Sequence, residues 1–220
     1  MIALLVVTDG RHEALRETVA SARCSLLGPV SHRIMYDDTG DDAYREELRA
    51  EFQDFTVIDA GPRRGFGGAI QAAWRHVRDL PVRFVFHLEQ DFTFTRPVDL
   101  DAMAHVLTDH PQLLQLALRR QPWNAEERAA GGIIEQHPDA YDDCTDGEHH
   151  WLEHRRFWTT NPSLYRRELC ERKWPDGAHS EGRFGIEQFR DPNAVVGFWG
   201  DRSSCEWVHH IGHERVGTGY

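Results

Sequence analysis

The sequence predicts an α/β fold in which helices cover both faces of a mainly parallel sheet. Short apolar runs alternate along the chain with amphipathic stretches of helical period. The apolar runs are hydrophobic throughout rather than at every second residue, which is typical of strands buried on both faces of a parallel sheet. With 220 residues, of which 40% are hydrophobic, the chain is long enough for one well-buried domain.

A strand and helix unit repeats along the first half of the chain. The predicted elements there are the strand "IALLVV" (2–7), the helix "RHEALRETVASARC" (11–24), the strand "HRIMY" (32–36), the helix "DDAYREELRAEF" (41–52), the strand "FTVIDA" (55–60), the helix "GFGGAIQAAWRHV" (65–77) and the strand "VRFVFHL" (82–88). In the second half, "SEGRFGIEQF" (180–189) predicts a helix and "AVVGFWG" (194–200) predicts a strand.

The composition argues against several classes of protein. A formal net charge of -11 disfavours a surface that binds a phosphate backbone everywhere, although a local basic face is compatible with it. The four cysteines form no CxxC pair and predict neither a disulfide framework nor a zinc knuckle. No run approaches the ~18 apolar residues of a membrane span, and "MIALLVV" lacks the flanks of a signal peptide. We therefore expect a cytoplasmic protein with no integral membrane segment.

Polar residues follow each predicted strand of the first half at the point where the strand ends. Because the carboxyl ends of parallel strands meet at one edge of the sheet, these residues should line one cleft, where ligands bind in such folds. In chain order they are Thr8, Asp9 and Arg11, then Asp37 and Asp38, then the glycine-rich turn 61–68, and finally Glu89 and Asp91.

The acid-x-acid step in "HLEQDF" (87–92) places two carboxylates, Glu89 and Asp91, at the rim of a buried strand. Charge at that position costs stability unless a cation, hydrogen-bond donors or water compensates it. A solvated loop and a metal site are both compatible with the step. The expected convergence of polar groups favours the metal site.

The turn "AGPRRGFGG" (60–68) opens a predicted helix. Its glycines allow close approach to the backbone, and the amides of a helix N-terminus attract anions. The pattern fits neither the dinucleotide fingerprint nor the P-loop. Packing and phosphate binding are therefore equally favoured roles for this turn.

The order and spacing of the motifs resemble those of the family 2 glycosyltransferases of the GT-A fold. The resemblance covers residues 4–213, and the section 122–150 has no place in it. It implies a single GT-A domain with a Rossmann-like sheet, in which residues 1–95 bind a nucleotide-sugar and residues 96–220 bind the acceptor. The motifs are "VVTDGR", "YDD", "RRGFGGAIQAAW", "FHLEQDF", "TTNPSLYRREL", "GRFGIEQF" and "VHHIGH".

The resemblance implies that the first loop and Asp38 contact the base and ribose of a UDP- or GDP-sugar, since carboxylates accept well from N–H and hydroxyl groups. For Asp37 and Asp38, capping of the helix that follows is an equally favoured role. The residues expected to bind the donor are Thr8, Asp9, Arg11, Asp38, Arg64, Gly65, Phe66, Gly67, Glu89 and Gln90.

In the family, the acid-x-acid step is a DxD motif in which a divalent cation bridges carboxylate and diphosphate. The resemblance therefore implies Mn²⁺ or Mg²⁺ at Asp91, with His210 completing the metal shell. Glu89 stands where the family has Asp, so its role is open between metal, ribose and neither. Neighbouring strand residues point to opposite faces, so at most one of His209 and His210 should face the cleft.

Transfer with inversion requires a carboxylate that takes a proton from the acceptor hydroxyl. Glu187 is the first candidate for this base, and Glu181 is the alternative on another face of the same predicted helix. Gln188 stands where the family has a second acid, so it stays open which of the two glutamates acts as the base.

Aromatic residues are concentrated in the second half, where they belong either to the core or to an acceptor groove. Trp151 and Trp158 are the predicted acceptor contacts. His150 and His154 have the helical i,i+4 spacing of a zinc-binding pair, but without a third ligand a surface patch is favoured.

The predicted function is a metal-dependent, hexosyltransferase-like glycosyltransferase that moves a sugar from a nucleotide-sugar to an acceptor hydroxyl. A protein, a small molecule and a modified DNA base are all candidate acceptors. One alternative is a sugar-phosphate nucleotidylyltransferase, which is disfavoured because the first loop has only Gly10. The other is a non-catalytic nucleotide-sugar or glycan-binding module, which Glu89 and Gln188 favour.

Overall fold

The structure of the protein is a computed structural model that describes residues 1–58 and 61–212. Its helices and strands alternate along the first half of the chain, as expected. In chain order they are β1 (Ile2–Thr8), α1 (His12–Ser25), β2 (Leu26–Leu27), β3 (Val30–Asp37), α2 (Asp42–Glu51), β4 (Thr56–Ile58), α3 (Gly65–Val77), β5 (Phe84–Glu89), β6 (Phe92–Phe94), β7 (Val98–Asp99), α4 (Leu100–Asp109), β8 (Leu113–Ala117), α5 (Ala125–Ala130), β9 (Asp142–Thr145), β10 (His150–His154), β11 (Ser163–Arg166), α6 (Ser180–Gln188), β12 (Val195–Trp199) and β13 (Val208–His210).

The main sheet has the strand order β4-β3-β1-β5-β11-β8-β12-β10-β9. Strands β4, β3, β1 and β5 run parallel, and so do β8 and β12. In contrast, β11 is antiparallel to both of its neighbours, and β9 and β10 form an antiparallel edge hairpin. The predicted α/β class is confirmed. The sheet as a whole is mixed, because antiparallel strands need no crossover helix and the second half departs from strict alternation.

The local patterns located most elements of the first half. The helix predicted at 65–77 has those bounds in the structure, as α3. The strand predicted at 55–60 is shorter, with bounds Thr56–Ile58, and residues 59 and 60 lie outside the described residues. Within 1–58 and 61–212, no helix combines the length and the apolar composition that a membrane crossing requires.

The segment "HHWLEH" is a strand, β10, and the helical spacing assumed for its histidines was wrong. Residues four apart on a strand are separated by about 13 Å, so His150 and His154 cannot share one zinc ion. His150 is exposed, whereas His154 is buried and stacks on Phe198 with 5.2 Å between ring centroids. The unplaced section 122–150 supplies α5, a short 3-10 helix and β9.

A hydrophobic layer covers each face of the sheet. Leu15 of α1 and Met103 of α4 belong to one layer, and Trp74 of α3 belongs to the other. Trp74 lies edge to face against Trp174 and Phe184, with centroid distances of 5.2 and 5.3 Å. Because Phe184 belongs to α6, this aromatic cluster holds α6 against α3.

The register of the parallel strands brings their carboxyl ends to one level. Thr8 of β1 pairs with Asp37 of β3, and Val7 pairs with Glu89 of β5. The polar residues that follow these strands therefore meet at one edge of the sheet. This convergence was expected from the sequence, and the structure confirms it.

Two histidines are buried within the main sheet, on β5 and β10. Burial lowers the pKa of His87 on β5 to about 4. Burial also lowers the pKa of His154 on β10 to about 4, with a smaller effect from the charge of Arg156. His87 Nε2 has no hydrogen-bond partner among the described residues. Both imidazoles are therefore neutral in the folded protein at pH 7.

We expect the stability of the protein to fall as the pH is lowered from about 6.5 to 4. In that window the unfolded chain binds protons at His87 and His154 that the folded chain does not, so the free energy of unfolding decreases by roughly 3 kcal/mol per histidine. Urea unfolding at a series of pH values measures this slope. His87→Asn should flatten it, while His105→Asn, on an exposed site of α4, should leave it unchanged. If the free energy of unfolding depends on pH equally in His87→Asn and the parent, His87 does not have the lowered pKa in the folded protein.

Candidate active site

Gln90, the middle residue of the acid-x-acid step, joins the end of β5 to the loop that follows β1 and to α1. Its Oε1 accepts hydrogen bonds from the Thr8 hydroxyl at 2.5 Å and from the Asp9 N–H at 3.1 Å. Its amide nitrogen donates to Asp9, and its carbonyl oxygen accepts from the Thr18 hydroxyl at 2.7 Å. Thr8 and Gln90 are both buried. The structure thus gives these two predicted donor ligands a role in joining the first loop to the end of β5.

Asp91 is a buried carboxylate at the centre of the edge, with 2% of its surface exposed. Its Oδ2 accepts from Arg11 Nη1 at 2.8 Å and lies 3.0 Å from His210 Nε2. Its Oδ1 is buried and has no hydrogen-bond partner among the described residues. Burial opposes ionisation, but the hydrogen bond with His210 and the charges of His210 and Arg11 lower the pKa of Asp91 below its ordinary value.

Arg11 forms ion pairs with both the buried Asp91 and the exposed Asp9. Its Nε donates to Asp9 Oδ1 at 3.1 Å, and its side chain is 26% exposed, against 44% for Asp9 and 2% for Asp91. Burial opposes its charge, but the two carboxylates outweigh that effect and raise the pKa of Arg11. The guanidinium therefore stays charged at the mouth of the site.

His210 reaches Asp91 because several segments fix the strand β13. The Gln121 side chain accepts from the His210 N–H and donates to its carbonyl oxygen, both at 2.9 Å. The imidazole lies between the rings of Phe92 and Trp123, at centroid distances of 4.7 and 4.3 Å. His209 is exposed on the opposite face, as strand geometry requires. His213, the third histidine of the motif, lies outside the described residues.

Ile211 and Gly212, which follow β13, are in contact with Asp91. The Ile211 N–H donates to the Asp91 carbonyl oxygen at 2.8 Å. A Cβ at Gly212 would overlap Asp91 Oδ2 and lie 2.7 Å from Arg11 Nη1. Only glycine fits there without displacing the ion pair. Sequence reasoning missed Gly212 and Gln121, although the glycine of "HHIGH" was a visible signal.

Asp38 binds the start of α3 in the structure. Its Oδ1 and Oδ2 accept the backbone N–H groups of Arg64 and Gly65, each at 2.8 Å. Burial raises the pKa of Asp38, and these two amides limit the rise. The capping residue of the preceding helix α2 is Asp41. The sequence suggested that Asp38 caps the helix that follows it, α2. In the structure Asp38 instead caps α3, which begins 27 residues later.

Asp37 is buried in an ion pair with Arg45, at 3.2 Å between Oδ2 and Nε. Its carboxylate also accepts from the hydroxyl of Thr39 at 2.7 Å. These bonds fix the loop that follows β3. Asp37 therefore has a structural role at the carboxyl end of β3.

The glycine-rich turn presents its backbone to solvent. Arg64 and Gly65 are exposed, and Gly65 has a φ of +72°, a conformation that L side chains rarely adopt. Phe66 is half-buried against Trp174. A Cβ at Gly67 would lie 3.0 Å from the Pro175 carbonyl oxygen and 3.2 Å from Ser180 Oγ. The beginning of α6 therefore lies next to the beginning of α3.

The two acids proposed as the base occupy different environments on α6. Glu181 is half-buried in the first turn of α6. Its Oε1 accepts hydrogen bonds from the N–H of Thr160 at 2.6 Å and from the hydroxyl of Thr160 at 3.2 Å. Glu187 is exposed, and Gln188 is buried against the helix. The structure therefore brings Glu181, and not Glu187, towards the edge that carries the glycine-rich turn.

Trp151 and Trp158 are both buried, each 2% exposed. Trp158 packs between Tyr165 and Phe184 in the core, and Trp151 packs against His110. An acceptor stacks on an exposed aromatic face, and neither ring presents one. The acceptor contacts expected at these two residues are corrected to core packing.

A second group of possible metal ligands lies on α1 and α2. One ligand atom from each of His12, Glu47 and Glu51 lies within 4.8 Å of the others. Arg16 already donates to both Glu51 oxygens, at 2.6 and 2.8 Å, and this hydrogen bonding lowers the pKa of Glu51 to about 2. One carboxylate of the group, Glu51, is therefore already paired with a protein cation. No sequence motif had marked it.

Comparison with solved structures identifies the architecture. S. aureus TarS 1-349 in complex with UDP-GlcNAc matches with a TM-score of 0.61 and 14% identity, over 98% of this chain and 61% of that one. The mannosyltransferase PcManGT from Pyrobaculum calidifontis in complex with GDP-Man and Mn²⁺ matches with a TM-score of 0.64 and 14% identity, over 97% of this chain and 57% of that one. The chain has a GT-A-like glycosyltransferase fold. It spans less than two thirds of the length of these structures.

The likeness is one of fold. Neither a protein-family model nor a curated protein matches the sequence. The activity must therefore be argued from the residues at the edge of the sheet.

We expect Asp38→Ala to destabilise the protein in the absence of any nucleotide. The substitution leaves two amides at the start of α3 without their charged acceptor, which should lower the free energy of unfolding by about 1–3 kcal/mol. Urea unfolding measures the change, and Asp79→Ala on the surface should alter it by less than about 0.5 kcal/mol. Unchanged stability with a loss of nucleotide binding would instead assign Asp38 to the ligand alone.

Proposed function

We propose that the chain is a glycosyltransferase, related to family 2, that moves a sugar from a UDP- or GDP-sugar to an acceptor hydroxyl. The observation that carries this proposal is the meeting of Asp91, His210 and the glycine-rich turn 61–68 at the carboxyl edge of the parallel strands. Ligands of open α/β sheets bind at that edge. The shared fold with structures bound to UDP-GlcNAc and GDP-Man supports the same reading.

The donor side is assigned to residues 1–95. Asp9 offers an exposed acceptor beside the first strand, and Arg11 offers a half-buried donor that pairs with Asp9 in the free protein. The exposed side chain of Arg64, where α3 begins, carries a guanidinium that suits an anionic diphosphate, whereas the N–H groups of Arg64 and Gly65 are already accepted by Asp38. Glu89 is half-buried at the end of β5, opposite Val7 of β1 and two residues before the buried Asp91.

The residues around Asp91 fit a divalent cation. The buried Oδ1 without a partner and the imidazole of His210 form an oxygen and nitrogen donor set that suits Mn²⁺, and the carboxylate alone suits Mg²⁺. Asp91 and His210 would hold the cation, with Glu89 at the neighbouring strand end. Such a cation would neutralise the charge that develops on the departing nucleoside diphosphate.

Glu181 is the base that the geometry favours on the acceptor side, residues 96–220. Transfer with inversion requires the acceptor hydroxyl to lose its proton as its oxygen attacks the anomeric carbon. The half-buried Glu181 lies in the first turn of α6, and its neighbour Ser180 lies next to Gly67 of the glycine-rich turn that would hold the donor. Glu187 is further along the helix and exposed. A proton accepted there would be remote from the donor edge.

UDP or GDP should raise the melting temperature, and more so with Mn²⁺ or Mg²⁺ present. A ligand that binds only the folded state stabilises it by about 2.7 kcal/mol at a hundred times its Kd. A thermal-shift panel of nucleoside diphosphates, each with and without metal, measures the effect. ADP serves as the matched control, for which we expect a smaller shift. If no diphosphate alters the transition in the presence of either metal, the transferase assignment is wrong.

Glu181→Gln should retain binding of the nucleotide-sugar and lower the rate of transfer by roughly 10²- to 10⁴-fold. The amide keeps the acceptor oxygen for Thr160 but no longer takes a proton. Titration of UDP-sugar binding and a transfer assay on the same preparation separate the two properties. Glu187→Gln on the exposed face is the matched control and should transfer at nearly the parental rate. The reverse result would assign the base to Glu187.

A further inference from the structure

We propose that Arg11 is an exchangeable counter-ion: its guanidinium neutralises Asp91 in the free protein and moves to the donor diphosphate when donor and cation bind. This inference rests on the proposed function and adds a coupling between the two ligands. Arg11 was expected from the sequence only as a lining group of the nucleotide site. Its pairing with the principal candidate metal ligand is a feature of the tertiary structure.

The first observation is competition for one oxygen. Arg11 Nη1 and His210 Nε2 both lie within 3.0 Å of Asp91 Oδ2. Asp91 is almost fully buried, so its single negative charge interacts strongly with the charge of Arg11. A divalent cation that shares Asp91 with the guanidinium would be repelled by it at short range. Arg11 therefore opposes cation binding for as long as it stays in place.

The second observation is lack of room. Ile211 and Gly212 cover the ion pair, and even one added carbon at Gly212 would meet both Asp91 Oδ2 and Arg11 Nη1. The space on this side of the carboxylate is thus filled by the guanidinium and the chain after β13. His210 Nε2 contacts this same oxygen, so a cation held by Asp91 and His210 together must reach this side, and exchange is favoured over simple addition at the unpartnered Oδ1.

The third observation is the path that Arg11 can take. Its side chain bridges the buried Asp91 and the more exposed Asp9, and it belongs to the turn between β1 and α1 at the donor edge. A rotation of the side chain suffices to turn the guanidinium outwards. A diphosphate at that edge would offer oxygens that match its forked donors better than one carboxylate oxygen does.

The consequence is reciprocal coupling between cation and nucleotide. The diphosphate removes the guanidinium from Asp91, which favours the cation, and by linkage the cation favours the diphosphate by the same factor. The free protein should therefore bind Mn²⁺ weakly. Coupling factors of this kind are about 5- to 150-fold.

The test measures Mn²⁺ binding by the electron paramagnetic resonance signal of the free ion, with and without UDP or GDP. In the parent, the preferred diphosphate should tighten Mn²⁺ binding by about 5- to 150-fold. In Arg11→Gln, Mn²⁺ should bind more tightly without nucleotide by a similar factor, and the added effect of the diphosphate should largely vanish. Arg11→Lys keeps the positive charge and should retain the weak parental affinity for Mn²⁺ alone.

Two controls locate the effect. Arg23→Gln removes a surface arginine of α1 that pairs with Asp54, far from the edge, and should bind Mn²⁺ as the parent does. Asp91→Asn should abolish the nucleotide-dependent Mn²⁺ binding of the parent and the tighter, nucleotide-independent Mn²⁺ binding of Arg11→Gln. Thermal unfolding of each variant verifies that it is folded, and the parental titration alone already tests the coupling.

Failure of this inference differs from failure of the proposed function. If the parent binds UDP or GDP, and neither the Mn²⁺ affinity nor its dependence on nucleotide changes in Arg11→Gln, the exchange is overturned and the transferase remains. If the parent binds neither diphosphate at any Mn²⁺ concentration, both are overturned. Equal Mn²⁺ affinity of the parent with and without a bound diphosphate also overturns the exchange.

Discussion

The burial of Asp91 is the constraint on which the architecture of the edge depends. An ionised carboxylate is costly in a protein interior unless charged or hydrogen-bonding partners surround it. Its partners here are Arg11, from the turn after β1, and His210, from the last described strand. Holding both of them requires β13 to lie across the end of β5 and β6, where it pairs with β6. One buried charge thus joins residues 11 and 210, which are far apart in the sequence.

Around this charge, the polar residues at the strand ends divide into two groups. Thr8, Gln90 and Asp38 are buried, and they bond to backbone amides or to one another. These residues give the loops a fixed shape before any ligand arrives, which limits the ordering that binding must impose. Asp9 and Arg64 remain accessible, so the specificity of the proposed nucleotide-sugar site would depend on this accessible group.

The aromatic cluster beneath the edge explains why one acid of α6 is better placed than the other. Phe184 packs against Trp74 and Trp174, which fixes the rotation of α6 about its own axis. With that face buried, Glu181 turns towards Thr160 and Glu187 turns towards solvent. The difference between these two candidate bases thus comes from core packing, since both acids occupy the same helix and have the same intrinsic chemistry.

The sequence by itself determined the α/β class, the bounds of α3 and the position of the polar edge, because helical and strand periodicities are local and strand ends are visible where apolar runs stop. It also pointed to Asp91 and His210. Only the tertiary structure decided that Asp38 caps α3, that Trp151 is buried in the core and that Arg11 forms an ion pair with Asp91. The contacts with Asp91 join residues 80 and 119 positions apart, and no local pattern encodes which distant partner a side chain meets.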